Sequence, residues 1–377
     1  MTGGVLLAPH GSVRLGLARL PLGRRAGSWA RKALRTMVGA VVALGAGSVV
    51  GLACAQAQGI GQFGPGGDVG PPERSVAEWL VRLQQASRWP AYAGTFVVSS
   101  SSGALSSARI WHVCEGDTQI ERVESLTGTP RLTYRRNESV VTFFPQARLV
   151  RNERRESGGV FPTLLQTSEE FETADFYTAR QLGQGRVAGF DADIVLLSPR
   201  DGMRFGYRIW SEKRTGLVVK TQTLDANGRV LEQAAFSELQ LEAPVKIDKL
   251  KQMMGNTEGY RVEKTAKVKT TADAEGWQMK SPVSGFTPMS CYKHPPSAPS
   301  KMVQWIFSDG LATVSLFMEP FSPERHVREG QWAMGATHTL TRRLADKDKN
   351  GEWWVTAVGE VPEQTLKAFA DSLERKK

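Results

Sequence analysis

The chain has 377 residues, long enough for two domains behind a leader, and carries 48 basic against 38 acidic side chains. Seven of the basic residues, from Arg14 to Arg35, lie within residues 1–57, which hold no acid; without them 41 basic face 38 acidic residues, a net charge of +3. A body so nearly balanced argues against a nucleic-acid reader, which needs a basic face of its own.

Residues 1–57 have the layout of an export signal. A basic region ends at Arg35, and an apolar stretch runs from Met37 to about Ala53, too short to favour a spanning helix. Ala53-Cys54-Ala55 and Ala55-Gln56-Ala57 both offer small residues at cleavage spacing. Cys54 also suits a lipid anchor, although Gly51 fits that pattern poorly. The periplasm is therefore the expected compartment. Residues 58–72 are rich in Gly and Pro and read as a tether. Their Gly59-Ile60-Gly61-Gln62-Phe63-Gly64 imitates a dinucleotide fingerprint, but no strand precedes it and Pro65 follows.

Order is expected from Ser75. Ser75 and Glu78 form a capping box, and Val76, Trp79, Leu80 and Leu83 recur at helical spacing to about Ser87. Strands follow at Gly94–Ser99, Ala108–Cys114, Gln119–Glu124, Arg131–Tyr134, Val140–Phe144 and Arg148–Arg151, with an irregular stretch from Glu156 to Thr173. Thr178–Leu182 and Arg186–Leu197 resume the series. Met203, Phe205, Tyr207 and Ile209 then alternate with Arg204, Gly206 and Arg208, giving a strand with one apolar and one wet face. Leu217–Leu224, the Asp225-Ala226-Asn227-Gly228 turn and Val230–Leu241 complete a meander. About ten strands and few helices predict a mainly β (α+β) fold dominated by one large curved antiparallel sheet across residues 73–243.

Residues 244–259 show no strand pattern and read as a linker. A smaller α+β domain is expected over 260–377, with strands at Val262–Thr270, Phe286–His294, Val303–Phe307, Ala312–Met318, His338–Arg343 and Trp353–Val358. A closing helix from Pro362 to Leu373 presents Leu366, Phe369, Ala370 and Leu373 on one face.

No catalytic or metal constellation assembles from these residues. His112, His294, His326 and His338 are not paired at ligand spacing, and no nucleophile elbow, zinc-binding His pair or P-loop is present. Asp346 to Gly351 opens like a calcium loop, but Ala357 stands where a bidentate Glu belongs. No metal and no cofactor is expected, and the chain is not read as an enzyme. Cys114 and Cys291 read as two isolated buried thiols, an interdomain bridge being the alternative in an oxidising compartment.

Tyr207-Arg208-Ile209-Trp210, Thr215-Gly216-Leu217 and Leu224 through Gln233 resemble the RseB/MucB family of periplasmic sigma-E regulators. Gly285-Phe286, Phe307 to Leu311 and Val358 to Pro362 extend the resemblance into the second domain, so that it covers about residues 75 to 373. The resemblance implies a lipoprotein-carrier-like half-open barrel holding helices, followed by a smaller domain. It also implies a role: binding the periplasmic part of a membrane anti-sigma factor and shielding it from proteolysis until lipopolysaccharide or a lipoprotein displaces the regulator. A lipid or lipoprotein carrier is the alternative.

A curved sheet under helices leaves a concave interior suited to acyl chains. Trp79, Leu83, Phe96, Trp111, Phe143 and Phe190 are candidates to line it, or else simply fill the core. Arg148, Arg151, Arg154 and Arg155 could meet lipid phosphates or an acidic partner segment, unless Glu153 and Glu156 make this an ordinary solvated face.

Overall fold

The computed structural model describes residues 74–154, 161, 172–264, 267–294, 301–345 and 351–376. Residues 1–73, which include the stretches read as an export signal and a tether, lie outside them, as do Arg155, most of Glu156–Thr173 and residues 346–350.

Twelve strands form one open sheet. They are β1 (Ala91–Ser100), β2 (Leu105–Glu115), β3 (Thr118–Ser125), β4 (Leu132–Arg136), β5 (Ser139–Phe144), β6 (Leu149–Arg154), β7 (Tyr177–Val187), β8 (Phe190–Pro199), β9 (Gly206–Glu212), β10 (Val218–Leu224), β11 (Val230–Leu241) and β12 (Arg261–Lys264). Their spatial order is β12-β6-β5-β4-β3-β2-β1-β11-β10-β9-β8-β7, so the two edges stay apart and no barrel closes. Every neighbouring pair is antiparallel except β12 on β6. Register shifts interrupt the β1–β11, β10–β11, β10–β9 and β7–β8 pairings, and such bulges bend a strand and increase its twist.

Helices cover opposite faces. α1 (Val76–Ala86) starts at the expected capping box and buries Val76, Trp79 and Leu83 against Tyr177, Val195, Leu197, Tyr207 and Ile209. Arg82 ties it down by donating to the carbonyls of Glu212 and Lys213 at 3.0 and 2.6 Å. Gly216, in the turn between β9 and β10, has a φ of +78°, and a Cβ there would press on Arg82 and Ala86 at 3.2 and 3.3 Å. Glycine meets both demands at once, the backbone conformation and the helix above it.

The stretch read as a linker holds a helix, α3 (Ile247–Gly255), following the single turn α2 (Thr173–Phe176). Ile247, Leu250 and Met254 fall at helical spacing and pack on Val113 and Ile120, while Met253 and Met254 reach Tyr134, Val141, Phe143 and Val150. The strand expected at Val262–Thr270 divides. Its first half is β12 of the large sheet; its second is β13 (Val268–Thr270) of the smaller one. Arg186–Leu197 divides as well: Ala188 and Gly189 take φ of 49° and 88°, turning β7 back into β8.

The smaller lobe contains β14 (Trp277–Met279), β15 (Thr287–Lys293), β16 (Val303–Ser308), β17 (Thr313–Pro320), β18 (Gly330–Met334), β19 (Thr337–Ala345), β20 (Glu352–Gly359), α4 (Glu363–Ser372) and β21 (Leu373–Arg375). Seven strands run in the order β13-β15-β16-β17-β20-β19-β18, and β14 pairs with β21. Leu366, Phe369, Ala370 and Leu373 fill this core as expected, with Phe369 against Phe286 and Phe307 at 5.5 and 4.9 Å. Both body cysteines are free; Cys291 is buried and Cys114 half-buried.

Candidate functional site

The segments that carry the family resemblance meet where the two lobes join. Arg204 is only 3% exposed and Asp309 only 1%. Arg204 donates to Asp309 Oδ2 at 2.8 Å, to Asp201 and to the Ser284 carbonyl at 2.7 Å. Its guanidinium lies between the rings of Phe176 and Phe286, 4.2 and 4.8 Å from their centroids. Asp309 Oδ1 accepts from the backbone N–H groups of Leu311 and Ala312 at 3.0 and 2.7 Å, and Thr173 donates to the Asp309 carbonyl at 2.6 Å. Burial pushes the Asp309 carboxyl up, against the pull of those donors and of Arg204. A Cβ on Gly285 would stand 2.1 Å from Arg204 Nη2 and 2.6 Å from the Phe176 ring, and the φ there is +73°. Only glycine admits the guanidinium. Thr365 of α4 donates to the Met203 carbonyl at 2.7 Å, and Phe205 meets His338 edge-on at 5.5 Å.

Met203 to Phe205 are thus not strand, and Arg204 is not wet. The alternation expected from Met203 begins only at Gly206, because the residues before it are turned into the second lobe.

Beside this junction, four strands build a row of side chains on one face. Register aligns Tyr207, Thr223, Glu232 and Ser100 across β9, β10, β11 and β1, with Ile209, Thr221, Ala234 and Val98 as the next row. Tyr207, Thr221, Thr223, Glu232 and Phe96 line a cavity of about 200 Å³ that Leu311 and Glu360 border from the smaller lobe. Burial pushes the Glu232 carboxyl up and the Glu360 charge adds to the shift, while Glu360 itself is exposed. Tyr207 Oη and Thr221 Oγ1 have no hydrogen-bond partner among the described residues.

The six apolar candidates fall into separate groups. Trp79 and Leu83 lie under α1; Phe96 lies in a second cluster with Tyr92 and Phe236, at whose margin Phe190 packs. Phe143 belongs to the α3 cluster on the other face, and Trp111 shares that face, stacked under Arg122 and Arg109 at 4.1 and 5.3 Å. Alternation explains the split, since Ala93 pairs with Trp111 while Phe96 points the opposite way. Of the six, Phe96 alone borders the junction cavity.

The arginines do not gather either. Three residues apart on β6, Arg151 and Arg154 project from opposite faces. Arg151 pairs with Glu263 at 3.8 Å, Arg154 with Glu138 at 2.6 Å, and Arg148 sits exposed in a left-handed turn with φ of 44°. The histidines serve packing: His112 bonds Glu121 and the Trp89 carbonyl, and His326 stacks on Trp354 at 4.9 Å. Among the described residues no group of three or more His, Cys, Asp or Glu could hold a metal.

A broad open sheet locked to a smaller antiparallel lobe defines a two-lobed, mainly β protein whose inter-lobe seam is its most elaborate polar feature. The chain matches the MucB/RseB N-terminal domain over residues 75–254 and the MucB/RseB C-terminal domain over residues 271–374, and it belongs to that family. It is 30% identical over 307 residues to the sigma factor AlgU regulatory protein MucB of Pseudomonas aeruginosa, covering 79% of this chain and 90% of that one. It is 22% identical over 305 residues to the sigma-E factor regulatory protein RseB of Haemophilus influenzae, covering 80% and 92%. A crystal structure of MucB in complex with MucA(peri) shares its fold with a TM-score of 0.60 at 28% identity, covering 80% of this chain and 100% of that one. The Pseudomonas aeruginosa MucA/MucB complex gives 0.62 at 27% identity, covering 80% and 99%.

Proposed function

We propose that this protein is a non-catalytic regulator that binds the periplasmic domain of a membrane anti-sigma factor and shields it from proteolysis. The observation that carries this reading is the match to both family domains, in order, together with a relative solved on the periplasmic part of MucA. The periplasm is its compartment in this reading; among the described residues no helix is long and apolar enough to cross a membrane. An envelope lipid or lipoprotein acts as the releasing signal.

The test is a calorimetric titration of the protein with the periplasmic domain of the anti-sigma factor from the same genome. One-to-one binding with a Kd of about 1 μM or tighter is expected, as for a specific interface of ordinary size. Absence of binding at about 100 μM would contradict the proposal.

A further inference from the structure

We propose that one end of the large sheet, formed by its β1–β2, β3–β4, β5–β6 and β10–β11 hairpin tips, docks on an anionic phospholipid surface. The strands follow one another as β6-β5-β4-β3-β2-β1-β11-β10, each antiparallel to the next, so these turns emerge side by side. With paired strands about 4.8 Å apart, successive tips stand about 10 Å apart. Hairpin turns are ordinarily polar, yet Leu105 is 67% and Leu126 51% exposed, and Val230 is exposed beside them. Leu126 continues the β2–β3 ladder by donating to the Ser107 carbonyl at 2.9 Å, which makes it the diagonal neighbour of Leu105 on one face. The smaller lobe adds two more apolar groups. A Cβ on Gly335 would stand 2.9 Å from Ser100 Cβ and 3.0 Å from Glu232 Oε2, so the β18–β19 turn lies against this end of β1 and β11. Met334 and Trp332 of that hairpin are each more than half exposed.

Charge selects the occupant. Residues 101–104, 126–131, 145–148 and 225–229 hold exposed Arg131, Arg148 and Arg229 and a single acid, Asp225, which accepts from Arg229 at 2.7 Å. Glu258 stands only at the outer margin, in the loop into β12, where Arg261 donates to the Arg148 carbonyl at 2.8 Å. The turns at the opposite end carry Asp117, Glu138 and Glu242 with Lys213 and Arg214, and no exposed Leu, Met or Trp. Shape selects further. The exposed Leu side chains stand on separate prominences among Ser, Thr and Gly, and a rigid protein surface would leave gaps between them. A fluid interface fills those gaps. Leu and Met enter the acyl boundary, the Trp332 indole lies at headgroup level, and the arginines meet lipid phosphates.

The experiment floats the full chain with vesicles of equal parts phosphatidylglycerol and phosphatidylcholine, and with phosphatidylcholine alone, and measures solution mass by light scattering. Binding is expected on the mixed vesicles and less of it on phosphatidylcholine. Leu105→Ser with Leu126→Ser should lower it about tenfold or more, with Tm unchanged because both side chains are exposed. Arg131→Glu with Arg148→Glu should weaken binding on the mixed vesicles and leave phosphatidylcholine unaffected. Equal binding of the wild type and the leucine variant would overturn the proposal, since the leader or another surface would then hold the lipid. So would a dimer in solution that the leucine variant returns to monomer without change in flotation, because a second copy would then cover this end. No anti-sigma factor enters the assay, so its failure leaves the proposed regulatory role to its own test.

Discussion

Arg204→Met should lower the unfolding free energy by about 3–5 kcal/mol, because it strands the Asp309 carboxylate and the Ser284 carbonyl in a buried seam. In a body of this size that is a fall in Tm of about 10 °C, measurable by calorimetry or by urea unfolding. Asp309→Asn should cost less, since the amide oxygen still accepts from the Leu311 and Ala312 N–H groups. Replacing both partners with apolar residues should recover much of the loss, because the pair also bears a desolvation cost on each side. A drop below about 1 kcal/mol for Arg204→Met would mean that water reaches the pair, as at an exposed ion pair.

Trp79→Ala should be equally severe, at about 3–5 kcal/mol, the usual cost of emptying a fully buried aromatic site. The indole stands at the centre of the α1 contact, among Tyr177, Leu197, Tyr207 and Ile209. Its Nε1 has no hydrogen-bond partner among the described residues, so Trp79→Phe sacrifices volume only and should cost about 1–2 kcal/mol. Urea unfolding of the two variants separates these values. If alanine were as mild as phenylalanine, α1 would not be held by this side chain.

The strands were legible wherever one face is buried and the other wet. Val140–Phe144 and Trp353–Val358 alternate in sequence, and the structure returns them as Ser139–Phe144 and Glu352–Gly359. The capping box at Ser75 and the closing helix after Pro362 were equally plain, because caps and helical spacing are local signals. Failures came where long-range packing overrides local pattern. Arg204 sits between apolar neighbours in an alternating run, so periodicity assigns it to solvent; only the presence of Asp309 and Gly285 from a distant part of the chain makes a buried guanidinium tolerable. α3 follows Lys246, which gives it no side-chain cap, and carries Lys249 and Lys251, so that the Ile247, Leu250, Met254 spacing is hidden among charges.

The candidate site was only partly visible for a similar reason. Tyr207, Glu232, Asp309 and Glu360 all lie in the segments that carry the resemblance, yet nothing local shows that they converge. Cross-strand register does that, and register is a property of the assembled sheet. The aromatic and arginine groups failed the other way. Side chains near in sequence or alike in chemistry are divided by strand alternation between two faces.

Cleavage of the anti-sigma periplasmic domain by its site-one protease, followed over time with and without this protein, addresses the regulatory role most directly. With the protein at about ten times the Kd, about one-tenth of the substrate remains free, and the cleavage rate should fall about tenfold. Addition of lipopolysaccharide should restore it. Cleavage at an unchanged rate under saturating protein would contradict the role assigned to the chain.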